Sequence, residues 1–397
     1  MPVGRPNTHS DILIPSMPWI LLISLTLAAS IAFIAMFPIR ALSVRSRFLD
    51  SPGARGHHKD LRSVPNTGGI AITLAVVLPI LVSVVLAQWA DSFSGESLGI
   101  LGWLQKHAAG IQMRTSMGGA LLFAVALLHG VGLIDDRRSL SPGLKMGAIL
   151  LATATLIIAF DLRILSAADG LVGGAWLSIL LTLLWFAAVT NAVNFLDNTD
   201  GVCAAVATVA SLSIAALALL AGQWFVAILA ALLAGALLGF FIWNRPPARI
   251  FMGDGGSLVV GFLLAFLTIR LTYVGVGETG GLDAEMVAIF VPVFLLGVPL
   301  YDLAAVSLLR VLQRRSPLVG DQQHITHRLM HRGLSAYGVI GFLAVCALFG
   351  SAIAFGLSLV TGPLAYAVLT AGIMGFVTLF LWDLPVLRQF HKAGVRA

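Results

Sequence analysis

Charge is scarce in this chain of 397 residues: 11% are Asp, Glu, Lys or Arg, where soluble domains carry about 25%. A chain so poor in charge and 58% hydrophobic cannot cover a water-facing surface, which excludes a soluble globular enzyme. Cysteine is scarcer still. Cys203 and Cys346 are the whole complement, so there is no disulfide framework. Both fall in or beside apolar runs, where a thiol packs as a small apolar group. No internal repeat, low-complexity tract or soluble domain stands out. No cleavable signal peptide is read either, because the first apolar run is long and Arg40, Arg45 and Arg47 follow it, the pattern of a retained first span.

What is present is apolar length. Mean hydropathy is +0.97. Runs long enough to cross a bilayer, about 17 to 25 residues each, fall at 18–38, 69–89, 116–134, 147–160, 172–190, 202–221, 224–243, 257–273, 286–310, 337–360 and 364–383. The expected fold is therefore all-α and polytopic, a single membrane domain of about eleven transmembrane helices. It has an outer tail at 1–17, a bundle at 18–383 and a cytoplasmic tail at 384–397. Placing the N-terminus outside puts 19 of the 24 Lys and Arg on the cytoplasmic side, and the excess of positive charge on inner loops fixes that orientation. Residues 90–115 form the sizeable outer loop.

Polar residues are few enough that their grouping carries information. The stretch from Asn191 to Gly201 sets Asn191, Asn194, Asp197 and Asp200 at every third position between two apolar runs. On a helix, steps of three spread the first three over about 120° of one face. Such groups at a membrane boundary are costly and mark working sites, and fixed carboxylates and amides suit a hard cation with its phosphates. A capped helix start needs only one such residue.

Three further clusters fall on the same side. Asp135 and Asp136 are adjacent carboxylates that repel unless a cation or hydrogen bonds neutralise them; neighbouring Arg137 and Arg138 in a solvated loop would also serve. In Phe251-Met-Gly-Asp-Gly-Gly-Ser257, glycines around Asp254 allow close backbone approach. The free N–H groups of the helix that follows would face a phosphate. His324 and His327, three apart, can share a helix face. Asp321 and His331 share the loop, but no cysteine and no compelling third zinc ligand accompany the pair, so with Arg328 and Arg332 they read more simply as an anion-binding group. Residues 50–69 alone read as a basic anchor, with Arg62 carried as a candidate substrate contact. Asp302, deep in the ninth run, reads as paired with a polar neighbour in the bundle. His129 and Asp161 carry no signal.

Taken in order from Asp50 to about Gly333, these loops closely resemble the polyprenyl-phosphate N-acetylhexosamine-1-phosphate transferases. The family's paired aspartates match Asp135 and Asp136. Its Asn-x-x-Asn-x-x-Asp loop matches Asn191, Asn194, Asp197, Asp200 and Gly201. Its Phe-Met-Gly-Asp element matches Asn244, Pro247, Phe251, Gly253, Asp254, Gly256 and Ser257, and its histidine motif matches His324 and His327. Departures occur at Ser139 (acidic in many relatives), Asn198 (usually Gly) and Thr326 (commonly His). His-Ile-Thr-His also differs from the three consecutive histidines of the peptidoglycan branch, which argues against a muramoyl-pentapeptide donor.

The resemblance implies a reaction. A polyprenyl (undecaprenyl) phosphate in the membrane lipid attacks the β-phosphate of a UDP-N-acetylaminosugar, releases UMP and starts a lipid-linked envelope glycan. UDP-GlcNAc is the first choice of donor and a 6-deoxy aminosugar (QuiNAc or FucNAc) the next. Mg²⁺ is the implied cofactor, with Mn²⁺ able to substitute. Asp254, Asp197 and Asp135 would ligate it, and Asp135, Asp136, Asp197 and Asp200 would form the catalytic set. Asn191, Asn194, Asn244, Phe251, Gly253, Ser257, His324, His327, Arg328 and Arg62 would contact substrate. Phe251 would stack on uracil and Asn244 bond its edge. The implied place is the bacterial cytoplasmic membrane with the active site facing the cytoplasm. No nucleic acid is involved, and a homodimer stays open. A secondary transporter would place polar groups near the midplane and in repeats, and a CDP-alcohol phosphotransferase would need an Arg that the Asp200-Gly-Val-Cys-Ala-Ala segment lacks.

Overall fold

The computed structural model describes residues 19–46, 64–89, 100–166, 169–271, 289–314 and 323–395. Arg62 lies outside them, as do most of the stretch 50–69 and residues 90–99 of the loop 90–115. Thirteen helices make up the described fold: α1 (Trp19–Arg45), α2 (Gly68–Gln88), α3 (Ile100–Asp135), α4 (Pro142–Phe160), α5 (Trp176–Leu196), α6 (Val202–Leu220), α7 (Trp224–Asn244), α8 (Asp254–Arg270), α9 (Phe290–Leu295), α10 (Gly297–Leu312), α11 (Ile325–His331), α12 (Ala336–Leu359) and α13 (Pro363–Val395).

Nine of the described helices are long and apolar enough to cross a membrane. Two of the eleven expected spans differ. α8 has 17 residues, and the ninth run is broken at Leu296 into α9 and α10. Pro299 explains the break: it has no N–H to donate to the carbonyl of Leu295, and its ring crowds the preceding turn. Helical propensity also outran two expected boundaries. α3 begins at Ile100, so residues 100–115 of the expected outer loop are helix, and α13 continues through Val395 across the expected tail.

Local signals place two of the helix starts. Ser141 accepts a bond from the Leu144 N–H, with Pro142 as first residue of α4, and Ser335 does the same for α12 at Gly338. These hydroxyls satisfy amides that the first helical turn leaves unpaired.

Packing follows membrane rules rather than those of a soluble core. α6 and α7 are 72% buried along their apolar windows, while α1 is 22% and α13 only 11% buried. Lipid is as apolar as leucine, so helices meet where small residues let backbones approach. At the α1–α7 contact a Cβ on Gly235 would lie 2.1 Å from the Leu25 carbonyl oxygen, and one on Gly239 2.3 Å from that of Ala29. A second apolar cluster joins Leu196, Val202, Val298, Ile325, Leu329 and Val339. It seats short α11 against α6, α10 and α12, at the end of the bundle where the polar residues lie.

Candidate active site

At that end the C-terminus of α3, the first turn of α4, the last turn of α5 and the start of α8 converge. Their side chains form one linked group. The Lys145 ammonium donates to Asp135 Oδ2 at 3.0 Å and to Asp254 Oδ2 at 2.9 Å. Asp135 Oδ1 accepts the Leu140 N–H at 2.6 Å. Asn194 Nδ2 reaches Asp254 Oδ1 at 3.0 Å and Ser257 Oγ at 2.8 Å. Two carboxylates thus share one cation, the neutralisation that their proximity demands.

Lys145 is the residue that sequence reasoning missed. It was read only as one more positive charge of an inner loop, yet a lone lysine one turn into an apolar helix, ten residues after Asp135, is itself a functional signal.

The Asp pair divides. Asp135 faces Lys145, whereas Asp136 turns to the start of α8, where Oδ1 accepts the Asp254 N–H at 2.9 Å and Oδ2 the Gly255 N–H at 3.2 Å. Burial pushes the Asp136 carboxyl up to about 8, and the charge of Asp254 adds to that, while the two backbone N–H bonds pull it back. An N-terminal carboxylate also complements the dipole of α8. The two remaining first-turn amides, those of Gly256 and Ser257, bond the Gly253 carbonyl at 3.0 Å each. The expected phosphate cradle of free amides is therefore filled by the protein itself.

Gly253 and Ser257 were expected to touch substrate, and here too the structure differs. Gly253 adopts φ +69°, and a Cβ there would meet the Asn66 carbonyl oxygen at 2.3 Å and Asp136 Oδ2 at 2.6 Å. Ser257 is fully buried and supports Asn194. Both shape the turn that presents Asp254.

The Asn191–Asp200 stretch is spread among several tasks. Asn191 Nδ2 bonds back to the Ala187 carbonyl at 2.7 Å, and Asn194 enters the Asp254 group. The backbone N–H of Asp197 closes α5 onto Val193 and Asn194. Asp200 Oδ2 accepts the Ala248 N–H at 2.9 Å. Asn244 is a correction: it is buried, its Oδ1 accepts the Gly201 N–H at 2.9 Å and its Nδ2 donates to the Ile250 carbonyl at 2.9 Å. It ties two loops together and lies buried between them, away from an open base-binding surface. Phe251 is half-buried, and its backbone pairs with Pro65 and Gly68.

The histidine motif sits deeper than expected. His324 is buried, with Nδ1 2.7 Å from Asp302 Oδ2, which gives Asp302 the polar neighbour expected of it. Arg328 is a second correction. It is fully buried and its guanidinium pairs with Asp383 of α13 at 2.8 Å, so it cannot meet a diphosphate. Of residues 323–329, His327 alone is not buried. Thr326 Oγ1 donates to Asn198 Oδ1 at 2.5 Å, so two departures from the family pattern touch each other across loops.

Among the described residues no three His, Cys, Asp or Glu side chains gather as a metal-holding group, so Asp197 does not complete the expected trio with Asp135 and Asp254. The donor set still fits Mg²⁺. That ion keeps several waters, binds through one or two carboxylates and takes the rest of its ligands from substrate phosphates. Asp135 and Asp254 already lie within bonding distance of one shared cation.

The same segments carry the likeness to known proteins. The family model described as Glycosyl transferase family 4 matches residues 119–272, from α3 to the end of α8. A decaprenyl-phosphate N-acetylglucosaminephosphotransferase of Mycobacterium tuberculosis is 31% identical over 80% of this chain and 78% of its own. A probable undecaprenyl-phosphate N-acetylglucosaminyl 1-phosphate transferase of Bacillus subtilis is 29% identical over 75% and 74%. A phospho-N-acetylmuramoyl-pentapeptide-transferase of Limosilactobacillus fermentum is 28% identical, over 54% and 62%. The chain is thus a multi-pass membrane transferase. It belongs to glycosyl transferase family 4, the polyprenyl-phosphate N-acetylhexosamine-1-phosphate transferases.

Proposed function

We propose that this protein transfers N-acetylglucosamine 1-phosphate from UDP-GlcNAc to a polyprenyl phosphate and releases UMP. The observation that carries the reading is the bridge of Asp135 and Asp254 by Lys145 at one end of the bundle. It is a charge-compensated site for polyanions, and the relatives named above act on undecaprenyl and decaprenyl phosphate. The distribution of Lys and Arg supports a site facing the cytoplasm of the bacterial cytoplasmic membrane, the side on which nucleotide sugars reside.

Both reactants are polyanions, so the main barrier is charge. Mg²⁺ held by Asp135 and Asp254 would offset the negative charge that builds on the diphosphate. Lys145 Nζ adds a second positive centre at the same point and keeps the two carboxylates from repelling one another. Asn194 fixes Asp254 through Oδ1, leaving the Oδ2 side to the shared cation. Asp136 holds the first turn of α8 and so sets the height of Asp254. The lipid phosphate has a second pKa of about 6 and is mostly dianionic at neutral pH. Orientation therefore matters more than proton removal. His327, the least buried of residues 323–329, is assigned to the donor sugar phosphate, and half-buried Phe251 to the base.

The test is UMP release by purified protein with undecaprenyl phosphate and Mg²⁺, comparing UDP-GlcNAc, UDP-QuiNAc and UDP-MurNAc-pentapeptide. Release with UDP-GlcNAc, lost in EDTA, is expected. Release with another donor alone would correct the sugar, and silence with all three from folded protein would overturn the reading.

A further inference from the structure

α13 is the least buried of the apolar helices, yet one residue in its second half is locked into the interior. Asp383 is 1% exposed. Its oxygens accept Arg328 Nε at 3.0 and 3.2 Å and the Tyr301 hydroxyl at 2.8 Å. Arg328 also donates to the Gln323 carbonyl and lies 3.9 Å from Asp302 Oδ1. Asp302 in turn holds His324 Nδ1 and the Ile325 N–H. One buried chain of polar contacts thus runs from α13 through Arg328 and Asp302 to His324. A second strut supports it: Gln323 bonds Gln313 at 2.9 Å, and Gln313 bonds the Phe390 carbonyl at 3.1 Å.

We propose that Asp383 is a positioning residue that acts through Arg328 to seat α11, so that the carboxyl-terminal helix sets the placement of His324 and His327. Stability alone does not account for such a pair. Buried ion pairs are often no more stabilising than apolar side chains of the same size. The planar guanidinium fork instead fixes direction, and here it fixes the helix that carries both histidines. A carboxylate in an otherwise apolar span is costly enough to imply a task. The role in catalysis rests on the proposed transfer reaction; the role in seating the histidines does not.

The experiment measures how fast diethyl pyrocarbonate modifies each histidine, read by mass spectrometry on the full-length protein, with UMP-release kinetics in parallel. Removing one partner of a buried pair leaves an uncompensated charge, so Asp383→Asn should raise modification of His324 by about tenfold or more while His129, on α3, is unchanged. Donor KM should rise several-fold with the lipid KM unaltered, and Asp383→Asn combined with His327→Ala should be no worse than His327→Ala alone, the non-additivity of residues acting as one unit. Tyr301→Phe, which removes one hydrogen bond and keeps the ring, should shift His324 the same way by less, and it carries the test if Asp383→Asn does not fold. Unchanged protection of His324, or equal exposure of His324 and His129, would overturn the proposal. If the wild-type protein released no UMP, the transfer reading would fall, while histidine protection would still decide the seating role.

Discussion

Two ion-pair networks lie at the same end of this bundle, and they differ in burial more than in chemistry. In the first, Lys145 joins Asp135 and Asp254, with Lys145 and Asp254 side chains 25% and 24% exposed. In the second, Arg328 joins Asp302 and Asp383, and all three side chains are 0–2% exposed. A partly exposed group can exchange its ammonium partner for an arriving cation. A closed one has no route for a ligand and holds geometry instead. Accessibility, not residue type, separates the pair proposed to react from the supporting one.

That contrast is sharpest at Asp254. Replacing it with Asn removes one of the two carboxylates and is expected to lower UMP release by about 10³-fold or more, in the range of losing a main electrostatic stabiliser, with little change in thermal unfolding in detergent. Normal turnover would move the reactive centre elsewhere. Lys145→Met should cost about 10²-fold in kcat, and with the competing ammonium gone Asp135 and Asp254 should draw Mg²⁺ more strongly, seen as saturation at lower Mg²⁺. Equal kcat and Mg²⁺ demand in that variant would make Lys145 a mere anchor.

Substitutions on the supporting side should act on stability first. Asn244→Ala strands the Gly201 N–H and the Ile250 carbonyl, and an unpaired buried group costs about 1–3 kcal/mol. A lower unfolding temperature is expected, with donor KM following only as the two loops part. A large loss of kcat at unchanged stability would return Asn244 to the substrate. Smallest of all, Thr326→Val removes the bond to Asn198 and should cost about 1 kcal/mol, with activity within a few-fold of wild type. A change of preferred donor in that variant would show that the Asn198–Thr326 contact selects the sugar.

Much of this was legible in the sequence, and the rest was hidden for identifiable reasons. Apolar run length gives the bundle, and the clusters at run ends give Asp135, Asp254 and Asn194. Pattern does not say which way a polar atom turns. Ser257 and Asn244 belong to the same motif as Asp254 and Asp200 to the same motif as Asn194, yet their bonds go to Asn194 or to the backbone of neighbouring loops. Arg328 sits beside His327 in a basic loop and reads as anion-binding, but its partner Asp383 lies 55 residues away, beyond any local pattern. Lys145 was in plain view and was masked by the counting of charges. The break at Leu296 could have been read from Pro292, Gly297 and Pro299, since proline removes donors from a helix.

The measurement closest to the central claim is a Mg²⁺ titration of UMP release by the wild-type protein, Asp135→Asn and Arg328→Lys in parallel. If Asp135 and Asp254 hold the metal and the diphosphate, Asp135→Asn should need at least about tenfold more Mg²⁺, as loss of a charged ligand from a hard-cation site does. Arg328→Lys should keep the wild-type Mg²⁺ requirement whatever it does to turnover. A wild-type Mg²⁺ requirement in Asp135→Asn, or a shifted one in Arg328→Lys, would contradict the division between a reacting and a supporting network.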